Sequence, residues 1–160
     1  MHDTRNDLPT KTRAKVIELL NARLADALDL EAQSKQAHWN VKGPNFIALH
    51  ELFDKVHGRV EEHVDTIAER IVALGGTALG TVPVVAKASS LSAYPLQIVD
   101  GLDHVDALAG SLAAFGKLVR KAIDASAKLG DAGTSDLFTG VSRDIDQQLW
   151  FVEAHTQAGR

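Results

Sequence analysis

The sequence predicts an all-α protein: a bundle of four long helices with one long crossover at its middle. Three observations carry that prediction. Apolar residues recur at three- and four-residue intervals in four separate segments, glycine and proline fall between those segments, and two of the three connections are short while one is long. In the first segment Val16, Leu20, Leu24, Ala27 and Leu28 line one helical stripe. The second stripe is the longest, made of Phe46, Leu49, Phe53, Val56, Val60, Val64, Ile67 and Ile71. Val105, Leu108, Leu112, Phe115, Val119 and Ile123 form the third, and Leu137, Val141, Ile145, Leu149 and Val152 the fourth.

The breaks are equally legible. Gly43-Pro44 separates the first two helices, and a proline there suits a first helical position. Gly75-Gly76 ends the second helix, and Gly130, Asp131 and Gly133 divide the third from the fourth. From Thr77 to Pro95 runs a connection rich in small residues, with Pro83 and the Ser89-Ser90 pair, long enough to hold a short extra helix. This short, long, short order of connections is that of a ferritin-like four-helix bundle. A chain of 160 residues fits one domain. Its expected span is 10–156, flanked by short tails at 1–9 and 157–160.

Composition excludes several classes. Apolar residues make up 45% and charged residues 24%, ordinary values for a soluble globular protein. There is no cysteine, so disulfide frameworks and thiolate chemistry are out, in keeping with a reducing compartment. The polar start "MHDTRNDLPTKTR" lacks the apolar core of a secretory signal, and "IVALGGTALGTVPVVA" is too broken by glycine and proline to span a bilayer. A cytoplasmic protein with no membrane partner is expected. The net charge of −4 makes the chain a poor generic ligand for nucleic acid unless it presents a local basic element.

The chemistry-bearing residues concentrate in "AHWNVKGPNFIALHELFD" and "HVDTIAER", which supply His38, His50, Asp54, Asp65 and Glu69. At 100° per residue His50, Asp54, Asp65 and Glu69 share one arc of the second helix, roughly 130° away from its apolar stripe. They therefore point away from the bundle's own core. His50 with Asp54, and Asp65 with Glu69, stand at i,i+4, a spacing that puts two ligands within reach of one ion. The two pairs cannot meet in one chain, because His50 and Glu69 lie about 29 Å apart along the helix axis. Their spacing is symmetric, however: 50 with 69 and 54 with 65 share a midpoint between Arg59 and Val60. A two-fold axis there, relating antiparallel copies of this helix, sets Asp54 against Asp65 of a second copy and His50 against its Glu69, making two identical mixed sites. Gly58 beside the axis allows close approach, and His38, at the end of the first helix, completes the half-site of His50 and Asp54. Two imidazoles and three carboxylates without a thiolate suit iron, manganese or zinc. No Glu-x-x-His occurs in the chain, so a diiron site inside a single bundle is disfavoured.

In order along the chain, "KQAHWNVKGPNFIALHE", "HVDTIAER", "LGGTALGT", "YPL" and "SRDIDQQLWFVE" resemble Dps, the mini-ferritin family of DNA-binding proteins from starved cells. The resemblance covers about Asn6 to Glu153 and fills every position of the pattern His-x11-His-x3-Asp-x10-Asp-x3-Glu. It implies a hollow dodecamer whose ferroxidase sites lie at two-fold interfaces. His38, His50 and Asp54 then come from one subunit, Asp65 and Glu69 from the other. The implied activity is oxidation of ferrous iron, preferably by hydrogen peroxide, with ferric mineral stored in the cavity and DNA protected from damage. Zinc and manganese are expected as competing ions.

Several residues carry two readings. Trp39, next to His38, is either an aromatic packing anchor or a group beside the iron, whereas Trp150 reads as core. His57 and His63 read as structural or solvated. By the resemblance Asp131 and Asp136 fall where the family lines an iron-entry pore; the alternative is a polar turn and helix start that Asp131 supports. The long lysine-rich tail of DNA-binding members is missing, since Arg5 is the only basic residue of that type before Lys11. Arg5, Lys11, Arg13 and Arg160 in many copies leave weak avidity at most, so DNA binding is expected to be weak or absent at neutral pH. The rival readings are a nucleoid-compacting structural protein with a secondary iron role, and a bundle that holds structural zinc at the same interface.

Overall fold

The computed structural model describes residues 1–157, so Arg160 and the expected C-terminal tail beyond Gln157 lie outside the described residues. Five helices follow in order: α1 (Thr10–Asn40), α2 (Phe46–Ala73), α3 (Val82–Ala88), α4 (Gly101–Lys128) and α5 (Ala132–Gln157). The four long ones are those the periodicity predicts, and α3 is the short helix of the crossover. α1 packs along α2 and α4 along α5, while α1 against α4 and α2 against α5 close the bundle. Leu20, Leu24, Phe53, Val60, Leu108, Phe115, Phe138 and Ile145 meet at its centre, all buried. Among the described residues no helix is long and apolar enough to cross a membrane.

The helix ends follow from sequence chemistry. After α2, Gly75 takes φ +84°, and the amides of Gly75 and Gly76 donate to the carbonyls of Val72 and Ile71. Gly130 repeats the device after α4: φ is again +84°, and the amides of Gly130 and Asp131 reach Ala127 and Ser126. Both are Schellman caps, which need a left-handed residue that only glycine adopts without strain. Asp100 caps α4 by accepting from the Leu102 amide at 2.9 Å. Pro44 does not take the first helical position expected of it. It sits in the turn, and α2 begins at Phe46 after Asn45, because Gly43 at φ +110° reverses the chain and its carbonyl accepts from the Phe46 amide.

The crossover is strapped to α1 by polar side chains. Fully buried Asp26 accepts from both the amide and the hydroxyl of Ser90 and pairs with Arg23. Asp29 accepts from the Ser89 hydroxyl, and Gln33 donates to the Ser92 carbonyl. α3 itself buries nothing, so its apolar Val82 faces outward.

Two further expectations are corrected. Trp150 is exposed, because it lies on the side of α5 opposite the stripe of Phe138, Val141, Ile145 and Val152, and it rests on neighbouring Phe151. Arg13 is not available to DNA. It is buried, with its guanidinium donating to the carbonyls of Leu74 and Leu8, where it satisfies the end of α2. The first residues lie against the same end, where the His2 amide donates to the Gly75 carbonyl at 2.7 Å.

Candidate metal centre

α1 delivers His38 in its last turn and α2 delivers His50 in its second, so the Gly43 turn brings the two imidazoles together. They stack with ring centroids 3.7 Å apart and 22° between planes. Their hydrogen bonds are reciprocal: His38 Nδ1 lies 2.7 Å from the His50 carbonyl, and His50 Nδ1 lies 2.8 Å from the His38 carbonyl. A carbonyl only accepts, so both Nδ1 atoms carry hydrogen, and in the neutral form of each ring the lone pair is then on Nε2. That is the tautomer a metal requires, with each ring oriented by a backbone acceptor. The local sequence explains one of the two bonds. The Lys42 amide that would continue the helix onto His38 donates instead to Val99, leaving the His38 carbonyl as a helix-end orphan that His50 satisfies.

Asp54, one turn along α2 from His50, has its nearest carboxylate oxygen 4.0 Å from His38 Nδ1 and is closely paired with the Lys35 ammonium. The hydrogen bond from Lys35 is the main cause that holds the Asp54 carboxyl below its ordinary range. Asp65 and Glu69 are exposed farther along the same face of α2. Among the described residues, no three His, Asp or Glu side chains converge to hold an ion within one chain. One chain therefore carries two separated partial sets: a preoriented imidazole pair with a carboxylate, and two further carboxylates.

The same face carries an apolar frame that sequence reasoning missed. Ile47 is 61% exposed and Val72 59%, near opposite ends of α2. They share the midpoint of the ligand pairs, between Arg59 and Val60. Their signal was available as two large apolar residues off the core stripe, on the arc of the ligands. A Cβ at Gly58 would meet nothing within 4 Å, so the middle of this face is open. Lys35 was missed as well, since sequence alone groups Asp54 with other carboxylates and does not reveal the cation that α1 aims at it.

The remaining candidates fall elsewhere. Trp39 is 66% exposed and lines a groove with Lys35, His57, Val82 and Val85. It is thus no anchor of its own chain's core. Asp131 is only 2% exposed. Its oxygens accept from the Thr134 amide and hydroxyl and from the Arg70 guanidinium at 2.6–3.0 Å. Burial opposes its charge, yet these bonds prevail and hold its carboxyl below the ordinary range. Within the chain these contacts are those of a helix start. Asp136 is exposed on the first turns of α5. His63 binds Asp144 at 2.7 Å, and Arg59 joins the same carboxylate, so this histidine locks α2 to α5.

A ferritin-like domain model matches residues 17–160. The chain is 51% identical over 156 residues to a DNA protection during starvation protein of Agrobacterium fabrum, with 98% of this chain and 96% of the relative covered. It superposes on the Dps of Mycobacterium smegmatis with a TM-score of 0.93 at 31% identity, covering 99% and 96% of the two chains. A Dps of Microbacterium arborescens solved in the high iron form gives 0.87 at 32% identity, with 97% and 99% covered.

Proposed function

Because the chain belongs to the ferritin-like family, and within it to the Dps proteins, we propose that it oxidises ferrous iron at sites shared by two subunits and stores the ferric product as mineral inside a hollow dodecamer. The carrying observation is the face of α2, with its two partial ligand sets and its two exposed apolar residues disposed about one midpoint. Antiparallel pairing of two such faces buries Ile47 against the partner's Val72 and brings the separated sets together twice per interface. The high iron form of the similar Microbacterium arborescens protein supports iron as the ion.

Each chain residue has a definite task. The Nε2 lone pairs of His38 and His50 and the carboxylate of Asp54 bind from one subunit, and Asp65 and Glu69 from the other. Lys35 must release Asp54 as iron arrives. Hydrogen peroxide is the oxidant: it takes one electron from each of two ferrous ions, so no hydroxyl radical is left over. Zinc and manganese compete for the same donors. Trp39 borders the site, and iron enters past exposed Asp136, with Asp131 shaping the turn behind it. The protein works in the cytoplasm. DNA binding is weak or absent at neutral pH, since the N-terminal segment lies against α2 and offers only Arg5 before Lys11. Nucleoid compaction, which needs a mobile basic arm, is the lesser reading. A gel shift with salt titration at neutral pH that gave tight complexes at physiological ionic strength would reverse that order.

Mixing two inactive variants tests the shared site. His50→Ala keeps Asp65 and Glu69, while Glu69→Ala keeps His38, His50 and Asp54. In randomly mixed shells about a quarter of the sites are whole, so ferrous oxidation should return to about that share of the wild-type rate. Mixed shells, verified by mass, that recover no activity sink the model.

A further inference from the structure

Oxidation of iron to mineral makes protons as well as ferric ion. Two ferrous ions, one hydrogen peroxide and two waters give two units of ferric oxyhydroxide and four protons. Protons left beside the site would compete with ferrous ion for imidazole and carboxylate, because both bind metal in their deprotonated forms. A site enclosed between two subunits therefore needs a way to pass them on.

A line of ionisable side chains leads away from the proposed site along the seam of α1 and α2. On α1, Glu31, Lys35 and His38 stand at i, i+4 and i+7; on α2, Asp54, His57 and Glu61 stand at i, i+3 and i+7. Each trio shares one helix face. The helices pack along each other and the trios meet. Asp54 pairs with Lys35, and His57 Nδ1 lies 4.0 Å from a Glu31 carboxylate oxygen and 3.4 Å from the Glu31 carbonyl. That carbonyl only accepts, so Nδ1 carries hydrogen in this contact, and in the neutral ring Nε2 holds the lone pair. Lys35, His57 and Glu31 line one groove of about 670 Å³, which has room for water. Glu31 also lines a second groove with Glu61, Glu62 and Asp65, and so joins the two. Burial raises the Glu31 carboxyl above its ordinary range; His57 opposes this and Glu61 adds to it. Glu31 thus takes up a proton more readily than an exposed carboxylate. Asp29, the other aspartate of the first groove, is held by Ser89 and Gln33. Neither His57 nor Glu31 is among the proposed iron ligands.

We propose that His57 and Glu31 form a proton relay that carries the protons of ferrous oxidation from the iron site to the acidic groove of Glu61 and Glu62. The inference rests on the ferroxidase reading. A proton reaches His57 Nε2 through groove water and forms an N–H bond there. The imidazolium gives its Nδ1 proton to a Glu31 carboxylate oxygen, breaking that N–H bond. Glu31 releases the proton to water beside Glu61 and Glu62, and exchange with groove water returns hydrogen from Nε2 to Nδ1. No electron moves in any of these steps.

The test follows protons and iron together. The assembled protein is loaded anaerobically with ferrous ion and mixed by stopped flow with hydrogen peroxide in weakly buffered solution containing a pH-indicating dye. Ferric absorbance and dye are read on the same sample. In the wild type, protons should reach the dye as fast as ferric product forms. His57→Gln and Glu31→Gln should each delay proton arrival roughly 100-fold, the low end of what a positioned acid or base contributes. Anaerobic ferrous binding should keep its wild-type strength in both. Imidazole added to His57→Gln, at a concentration that leaves the dye readable, should restore proton arrival, a rescue that a merely structural histidine does not show. Should His57→Gln fail to assemble, Glu31→Gln decides alone by the presence or absence of the delay. Proton arrival at the wild-type rate in both variants overturns the relay and leaves the ferroxidase reading standing. A delay in His57→Gln that imidazole does not rescue makes His57 a packing residue, and weakened ferrous binding makes the pair an iron site; either overturns the relay. A wild type that forms no ferric product refutes the ferroxidase reading, and the relay falls with it.

Discussion

The outer face of α2 and the turn between α4 and α5 both rest on aspartates, and they treat them in opposite ways. At the turn, Asp131 is buried and its oxygens are saturated by Arg70 and Thr134 of the same chain. On α2, Asp54 is half exposed with one lysine as its close partner, and Asp65 and Glu69 stand in solvent. A carboxylate satisfied inside its own chain does structural work. One left open on a helix, beside two imidazoles, keeps oxygens available, as the proposed ligand role requires. Residue type does not separate the two cases; the number of donors already within reach does.

The largest effect should come from the satisfied aspartate. Asp131→Ala removes the cap of α5 and leaves a partly buried guanidinium without its anion, which should cost about 2–3 kcal/mol in denaturant unfolding, while ferrous oxidation per assembled protein stays unchanged. Its pH signature follows from linkage. The folded pKa of Asp131 is depressed, so the native state binds fewer protons than the unfolded chain in acid. Its contribution is complete above the ordinary carboxylate range of about pH 4 and is lost as pH falls through the depressed value. Acid unfolding followed by circular dichroism should therefore show a shallower loss in the variant than in the wild type. A variant with unaltered acid sensitivity would remove Asp131 from the structural side of the comparison.

Next in size is the open carboxylate. Asp54→Asn should slow rapid ferrous oxidation about 100-fold, equivalent to about 2.7 kcal/mol of barrier, with the thermal midpoint close to wild type. Should the midpoint collapse while the rate survives, the two aspartates would have exchanged roles. The smallest effect concerns what occupies Asp54 before iron does. Lys35→Met frees that carboxylate, and anaerobic calorimetric titration should show ferrous ion binding about two- to fivefold more tightly, the scale an exposed ion pair allows. Weaker binding would instead make Lys35 an organiser of the site.

The sequence discloses the bundle almost completely, because each apolar stripe of helical period has a single solution: a face against the other three. The mirror spacing of His50, Asp54, Asp65 and Glu69 is legible for the same reason, since helix geometry fixes directions from residue numbers alone. What sequence could not supply are side-chain contacts between one element and another. Lys35 reaching Asp54, Arg70 reaching Asp131 and Tyr94 reaching His104 each join residues whose meeting depends on how helices pack or how the crossover returns. Trp150 misleads because a large aromatic near a core stripe is read by its chemistry before its angle is counted.

The mirrored face of α2 also has a consequence for gene dosage. If each working site takes one half from either of two subunits, a chain defective in both halves disables two sites for every copy it contributes. When only a fraction f of the subunits in a cell is sound and shells assemble at random, the working sites fall as f squared. A second, degenerate copy of the gene would then subtract from capacity out of proportion to its abundance, and selection would purge it faster than the loss of a single subunit implies.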